Sequence, residues 1–294
     1  MKYSLLFLSI VLCFACTSRI NLDVESIPST ICIYGYIQSH NSFQTLEITK
    51  TSPFFSDSVN KPIVDANVVI TSSDNMTYKY MYVTDLGIYC STEPFVPKSL
   101  LNYHLCVKCD IDGDGVIEKY EADAKVGRSI KLDTMICEYG KFLAKGYYSA
   151  KLYFNEPEGE DYYLYRFFLN DSLVSRKVSR LMTWSDKLLD GEYINGRAFF
   201  KFNCLADIDK YTEDEKDNNF FVKKGDFIEM EGGIVDEDFY NFILQCHLKK
   251  QGENPFFGGP GANIITNISN GGVGYFGVFN SAFAHTQIID GPDI

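Results

Sequence analysis

The chain carries one tryptophan and four histidines in 294 residues. The histidines (His40, His104, His247 and His285) stand far apart, and neither H-E-x-x-H nor G-x-S-x-G occurs, so no zincin helix or nucleophile elbow is written here. The Gly-rich stretch from Gly252 to Gly261 is followed by no Gly-Lys-Ser/Thr and offers no phosphate cradle. Positive charge is scarce too. Lys and Arg number 27 against 39 Asp and Glu, a net charge of −12, and that sign argues against nucleic acid or an anionic membrane surface as a partner. With no catalytic signature in view, the chain reads as non-catalytic.

What is present begins at the N-terminus. Lys2 supplies a positive charge, and Leu5 to Phe14 form an apolar run whose only polar side chain is Ser9. The run has the length of a secretory h-region and falls short of the roughly 20 residues that a helix needs to span a bilayer. Ala15 offers the small residue that a signal peptidase needs before Cys16, although Cys13 stands where a lipobox prefers Leu. Residues 1–15 therefore read as a lipoprotein signal peptide, Cys16 as the acylated residue and 16–28 as a polar tether. Several acyl chains at ~0.8 kcal/mol per buried CH₂ would hold Cys16 on a membrane.

Of the nine cysteines, Cys13 leaves with the leader and Cys16 takes lipid. The rest (Cys32, Cys90, Cys106, Cys109, Cys137, Cys204 and Cys246) are odd in number, so at least one stays unpaired even in an oxidising envelope. Cys106-x-x-Cys109 has the spacing of half a zinc site, but no second pair follows, and on a strand the two side chains face opposite ways. They read as small buried hydrophobes with one or two disulfides among them.

Tyr (20) and Phe (23) dominate the aromatics and suit strands. Short alternating segments recur at Ile31–Tyr36, Leu46–Lys50, Ala66–Ile70, Ile88–Tyr89, Tyr103–Val107 and Tyr120–Val126, separated by turn formers such as Ser72-Ser73-Asp74-Asn75. This spacing predicts an Ig-like β-sandwich over 29–127. The remainder, 128–294, reads as a second β-rich domain, with aromatic strands at Tyr148–Phe154 and Tyr162–Leu169 and further strands at Arg197–Phe202 and Phe227–Glu231. One amphipathic helix is expected over 236–250. Asp236 caps it, and Phe239, Tyr240, Ile243, Leu244, His247 and Leu248 form its apolar stripe.

One segment carries metal chemistry. Asp110-Ile111-Asp112-Gly113-Asp114-Gly115-Val116-Ile117-Glu118-Lys119-Tyr120-Glu121 matches the calcium loop D-x-D-x-D-G-x-[ILV]-x-x-x-E. Calcium takes about six to eight oxygens at ~2.3–2.6 Å. Asp110, Asp112 and Asp114 would offer carboxylates, Val116 its carbonyl, Glu118 a direct or water-borne ligand and Glu121 two closing oxygens. Both flanks alternate like strands instead of helices. The predicted Ca²⁺ site is therefore a structural one at a hairpin tip, and an acidic solvated turn is the competing reading.

Tyr103-x-Leu105-x-Val107, Thr84-Asp85-x-x-Gly87-x-Tyr89, Asn254-Pro255-Phe256 and above all Asn267-Ile268-x-x-Gly271-Gly272-x-Gly274-x-Phe276-Gly277 resemble the Bacteroidota lipoproteins grouped as domain of unknown function 4249. The resemblance implies an N-terminal sandwich similar to the carboxypeptidase-regulatory fold, a second β-rich domain and an outer-membrane lipoprotein often encoded beside TonB-dependent receptors. It carries over no catalytic residues. Asp57-Ser58-Val59, Asp133-Thr134-Met135 and Asp171-Ser172-Leu173 are similar to the O-glycosylation triplet of such envelope proteins, which marks surface segments. The expected function is an accessory or ligand-presenting partner of a TonB-dependent transporter, anchored in the outer membrane by lipid. The alternative is a stand-alone calcium-stabilised adhesin or glycan-binding module. Which face of the membrane it occupies stays open, since Asp23 and Glu25 come late for an export signal after Cys16.

Overall fold

The computed structural model describes residues 29–39, 43–51, 60–174, 178–252 and 264–293. Cys16, the leader, the tether, Asp57-Ser58-Val59 and Asn254-Pro255-Phe256 lie outside them. Among the described residues no helix is long and apolar enough to cross a membrane.

The protein is mainly β, as the patterning predicts. Eight strands come from the first half: β1 (Ile31–Ile37), β2 (Thr45–Lys50), β3 (Lys61–Pro62), β4 (Asn67–Ser72), β5 (Thr77–Val83), β6 (Ile88–Ser91), β7 (Asn102–Cys109) and β8 (Glu118–Lys125). Most of them bury alternate residues, as period-2 side chains on a one-sided core must. A second sheet comprises β9 (Thr134–Phe142), β10 (Lys145–Asn155), β14 (Tyr193–Cys204) and β15 (Phe221–Val222). The third is built from β11 (Tyr162–Leu169), β12 (Ser172–Leu173), β13 (Met182–Ser185), β16 (Phe227–Val235) and β18 (Asn280–Gln287). Helix α1 spans Glu213–Asn218 and α2 spans Glu237–Gly252.

The remaining strand, β17 (Val273–Val278), leaves its neighbours in sequence. It runs parallel to β1, with Cys32 opposite Val273 and Ile37 opposite Val278. The first sheet is thus ordered β17-β1-β2-β6-β5-β4-β7-β8, with β3 on β2. Its two ends also meet. Ser269, just before β17, exchanges bonds with Glu121 of β8: Ser269 N to Glu121 O at 2.8 Å and Glu121 N to Ser269 Oγ at 2.7 Å. Inside this closed sheet lie Ile33, Ile70, Tyr103, Leu105, Val107 and Phe276, all essentially without exposure.

The glycines of the closing segment have a steric reason. Gly274 has φ of +100°, and a Cβ there would run into the Ile33 carbonyl of β1. Asn267 anchors the same segment, donating to the carbonyls of Asp123 (3.1 Å) and Phe276 (2.8 Å) and accepting from the Phe276 amide at 3.0 Å.

Strand β11 is buried on both faces. Tyr163, Tyr165 and Phe167 join the core against the second sheet, whereas Tyr162 and Leu164 join another with α2, β1 and β17. Asp236 caps α2 as expected, accepting from the Phe239 amide at 2.7 Å. The apolar stripe is rotated from the expected one. Phe242 is buried, packed between the rings of Tyr34 and Tyr275, and Leu248 is 57% exposed. His247 sits at the core edge, near the Val178 carbonyl at 3.3 Å.

All seven described cysteines are free. The expected disulfides are absent among them, and Cys109, Cys137 and Cys204 are packed as small hydrophobes. Thr134 and Ser172, the hydroxyl residues of two Asp-Ser/Thr triplets, are exposed.

Candidate functional site

Within the 110–121 segment, residues 110–117 join β7 to β8 as a hairpin loop and Glu118 to Glu121 open β8. Asp110, Asp112 and Asp114 are brought together, with one carboxylate oxygen of each within 4.8 Å of the others. Short-range bonds shape the coil. Asp110 accepts from the amides of Gly113 (2.6 Å) and Gly115 (2.8 Å), Asp112 from Asp114 (3.2 Å), and Asp114 from Val116 (2.7 Å). Gly113 and Gly115 take φ of +84° and +88°, the reason for glycine at those places. The Gly115 and Gly113 amides hold the Asp110 carboxyl below the usual carboxylate range. Glu118 accepts from the Ile111 amide at 3.1 Å, and Lys50 donates to the Ile111 carbonyl at 2.8 Å, pinning the loop from outside.

The last position departs from the motif. Strand β8 begins at Glu118, so Glu121 is already paired in register opposite Cys106. Its carboxylate meets Lys119 Nζ at 2.6 Å and His104 Nε2 at 3.1 Å instead of the loop acids. A helix would have turned that side chain back to the loop; a strand carries it away. The donor set that does converge is all hard oxygen, which suits calcium and not a thiophilic metal. Val116 is exposed beside it.

Two further features escaped sequence reasoning. The first is the tip of the β9–β10 hairpin. Phe142 pairs with Lys145, leaving Leu143 and Ala144 as a two-residue turn with φ of +45° and +66°. Such turns favour Asn-Gly, since each L-residue in this region costs about 1–2 kcal/mol. Phe142 is 70% and Leu143 83% exposed. The tip is nevertheless braced: Lys210 donates to the Ala144 carbonyl at 2.7 Å, Asp207 accepts from the Gly146 amide at 2.5 Å, and the two pair at 2.6 Å. An apolar Leu-Ala where a turn calls for Asn-Gly was the available signal.

The second is a trio of acids, Glu156, Asp186 and Asp190, whose oxygens also lie within 4.8 Å of one another. Glu156 is distant in sequence from the two aspartates, so no spacing announced the trio. A separate open cleft is lined by Leu169, Leu173, Val174, Asn219, Phe220 and Phe221 with Arg180 as its charged member.

The family described as Domain of unknown function (DUF4249) matches residues 17–283. No protein of curated function matches the chain.

Proposed function

The chain belongs to the DUF4249 family, and from that premise we propose that it is a non-catalytic outer-membrane lipoprotein, held by lipid on Cys16, that docks on a TonB-dependent transporter as an accessory or ligand-presenting partner. The observation that carries the reading is the β9–β10 tip. Exposed Phe142 and Leu143 sit on a turn whose backbone is strained and whose position is braced by Asp207 and Lys210. Strain and exposed apolar surface both cost the free protein stability, and a partner that covers the tip offsets them. The anchoring reading is supported by the family match beginning at Thr17, directly after Cys16, so that the apolar leader stands outside the family domain.

Calcium has a structural part in this proposal. Asp110, Asp112 and Asp114 hold the ion, with the Val116 carbonyl and Glu118 completing its oxygens, while Glu121 remains an ion-pair partner on β8. The bound ion neutralises acids that otherwise repel one another at the hairpin end.

Affinity capture of the acylated, tagged full chain from detergent-solubilised outer membrane tests the docking. A near-stoichiometric barrel transporter is expected with wild type. The Leu143→Asn/Ala144→Gly variant should lose it while unfolding at higher temperature than wild type, since Asn and Gly relieve the positive φ. A chain that elutes alone would overturn the accessory reading in favour of a free-standing adhesin. Loss of the transporter under chelation would add the 110–121 loop to the docking surface.

A further inference from the structure

The trio Glu156, Asp186 and Asp190 lies at the junction of two loops, 156–161 and 186–192, at the end of the third sheet. Glu156 is 4% and Asp186 0% exposed, while Asp190 stands at the mouth. The loops clamp each other reciprocally. Glu156 accepts from the Gly191 amide at 2.5 Å, and Asp190 accepts from the Gly159 amide at 2.6 Å. Gly159 and Gly191 take φ of +109° and +72°, which is how those amides come to face the acids. Tyr163 donates to the other Glu156 oxygen at 2.7 Å, and the Asp161 amide donates to Asp186 Oδ2 at 2.9 Å.

One atom is left over. Asp186 Oδ1 is buried and has no hydrogen-bond partner. A buried carboxylate oxygen without a partner costs several kcal/mol, so the site calls for a positive charge. The nearby cations are committed elsewhere. Arg128 straddles Asp161 and the carbonyls of Glu158 (2.6 Å) and Gly159 (3.1 Å), and Lys187 pairs with Glu160 at 3.2 Å. Among the described residues no Lys or Arg forms an ion pair with any of the three acids. Burial raises the Glu156 pKa, and the neighbouring Asp186 raises it further, as expected of two acids facing each other without a counter-charge.

We infer that Glu156, Asp186 and Asp190 form a second cation site, separate from the 110–121 loop, for a hard divalent ion of the calcium class. Each acid already has a fixed orientation, and each carboxylate keeps acceptor capacity beyond the bonds just described. The donors are all oxygen, with no His or Cys among them, which selects calcium over zinc. An ion here ties together loops more than twenty residues apart and relieves the buried charge of Asp186. The alternative occupant is a proton shared by Glu156 and Asp186.

The chain's single tryptophan reports on this site. Trp184 on β13 is the register partner of Tyr163 on β11, their rings 5.0 Å apart between centroids, and Asp186 follows Trp184 two residues later. Terbium occupies calcium sites and emits when excited through a nearby indole, so exciting the full chain where only Trp184 absorbs isolates this site from the 110–121 loop. Terbium emission displaced by calcium is expected. It should persist in the Asp112→Asn/Asp114→Asn variant, and its affinity should fall by about tenfold or more in Asp190→Asn. Asp190 is exposed, so that variant remains folded even where Asp186→Asn does not. Absence of Trp184-excited emission from the folded wild type, or affinity unchanged in Asp190→Asn, would overturn the site and leave the shared proton.

Discussion

Ser269 holds both backbone groups of Glu121, accepting its amide proton at 2.7 Å and donating to its carbonyl at 2.8 Å. The segment that closes the first sheet is thereby fastened to the strand that leaves the acidic hairpin loop. Order at 110–117 and closure by β17 are therefore coupled through β8. Calcium should slow amide exchange in Tyr275–Val278 as well as in the loop itself. Exchange measured with and without calcium checks this, and the Asp112→Ala/Asp114→Ala variant should lose both that protection and the calcium-dependent rise in melting temperature.

Closure depends on Gly274 more than on its neighbour Gly271. Both have positive φ, but a Cβ at Gly271 meets open space, whereas one at Gly274 meets the backbone of Ile33. Gly274→Ala should cost about 3 kcal/mol, combining a left-handed alanine with a displaced strand. Gly271→Asn should cost less than about 1 kcal/mol, since Asn tolerates that region. Urea unfolding of the two variants separates them.

Arg166 and Glu231 face each other across β11 and β16, in contact and almost wholly buried, and Arg166 also donates to Tyr36 Oη at 3.2 Å. The pair lies where the third sheet meets β1 of the first. Glu231→Ala leaves a buried guanidinium uncompensated and should cost about 3–5 kcal/mol. The double variant Arg166→Met/Glu231→Leu should recover most of that loss, which a double-mutant cycle would read directly.

His104 lies between Asp123 (2.8 Å) and Glu121 (3.1 Å). Partial burial opposes its charge, but the two acids outweigh that and raise the imidazole pKa above its ordinary value. The stabilisation from protonated His104 is then complete below the unfolded value of about 6.5 and is lost as pH rises through the higher folded value. Stability followed across that window should decline in wild type and stay flatter in His104→Gln. An NMR titration of His104 should give a midpoint above 6.5, on the scale of about 6.5 for a free imidazole.

Legibility in the sequence followed the range of the interactions. The alternation of Tyr103, Leu105 and Val107 placed β7, and Asp236 ahead of Phe239 placed the start of α2, because both signals are local. The pairing of β17 with β1 was invisible, since nothing near Val273 names a partner at Cys32. The motif around Gly271-Gly272-x-Gly274 could be recognised without its purpose being readable; its purpose is to let that strand lie against Ile33. In the acidic loop the meeting of Asp110, Asp112 and Asp114 was legible from spacing alone. The twelfth position was not, because the fate of Glu121 depends on the strand register that begins at Glu118. Glu156, Asp186 and Asp190 lacked any spacing signal, and their meeting depends on two loops interlocking through Gly159 and Gly191.

The most direct test of the docking reading replaces Leu143 with a photo-crosslinking residue in the full-length, acylated chain and irradiates living cells. A single dominant adduct with an outer-membrane barrel transporter is expected, absent when the crosslinker is moved to Leu86 (63% exposed) in the first sheet's β5–β6 turn. An uncrosslinked chain, or equal adducts from both positions, would contradict it.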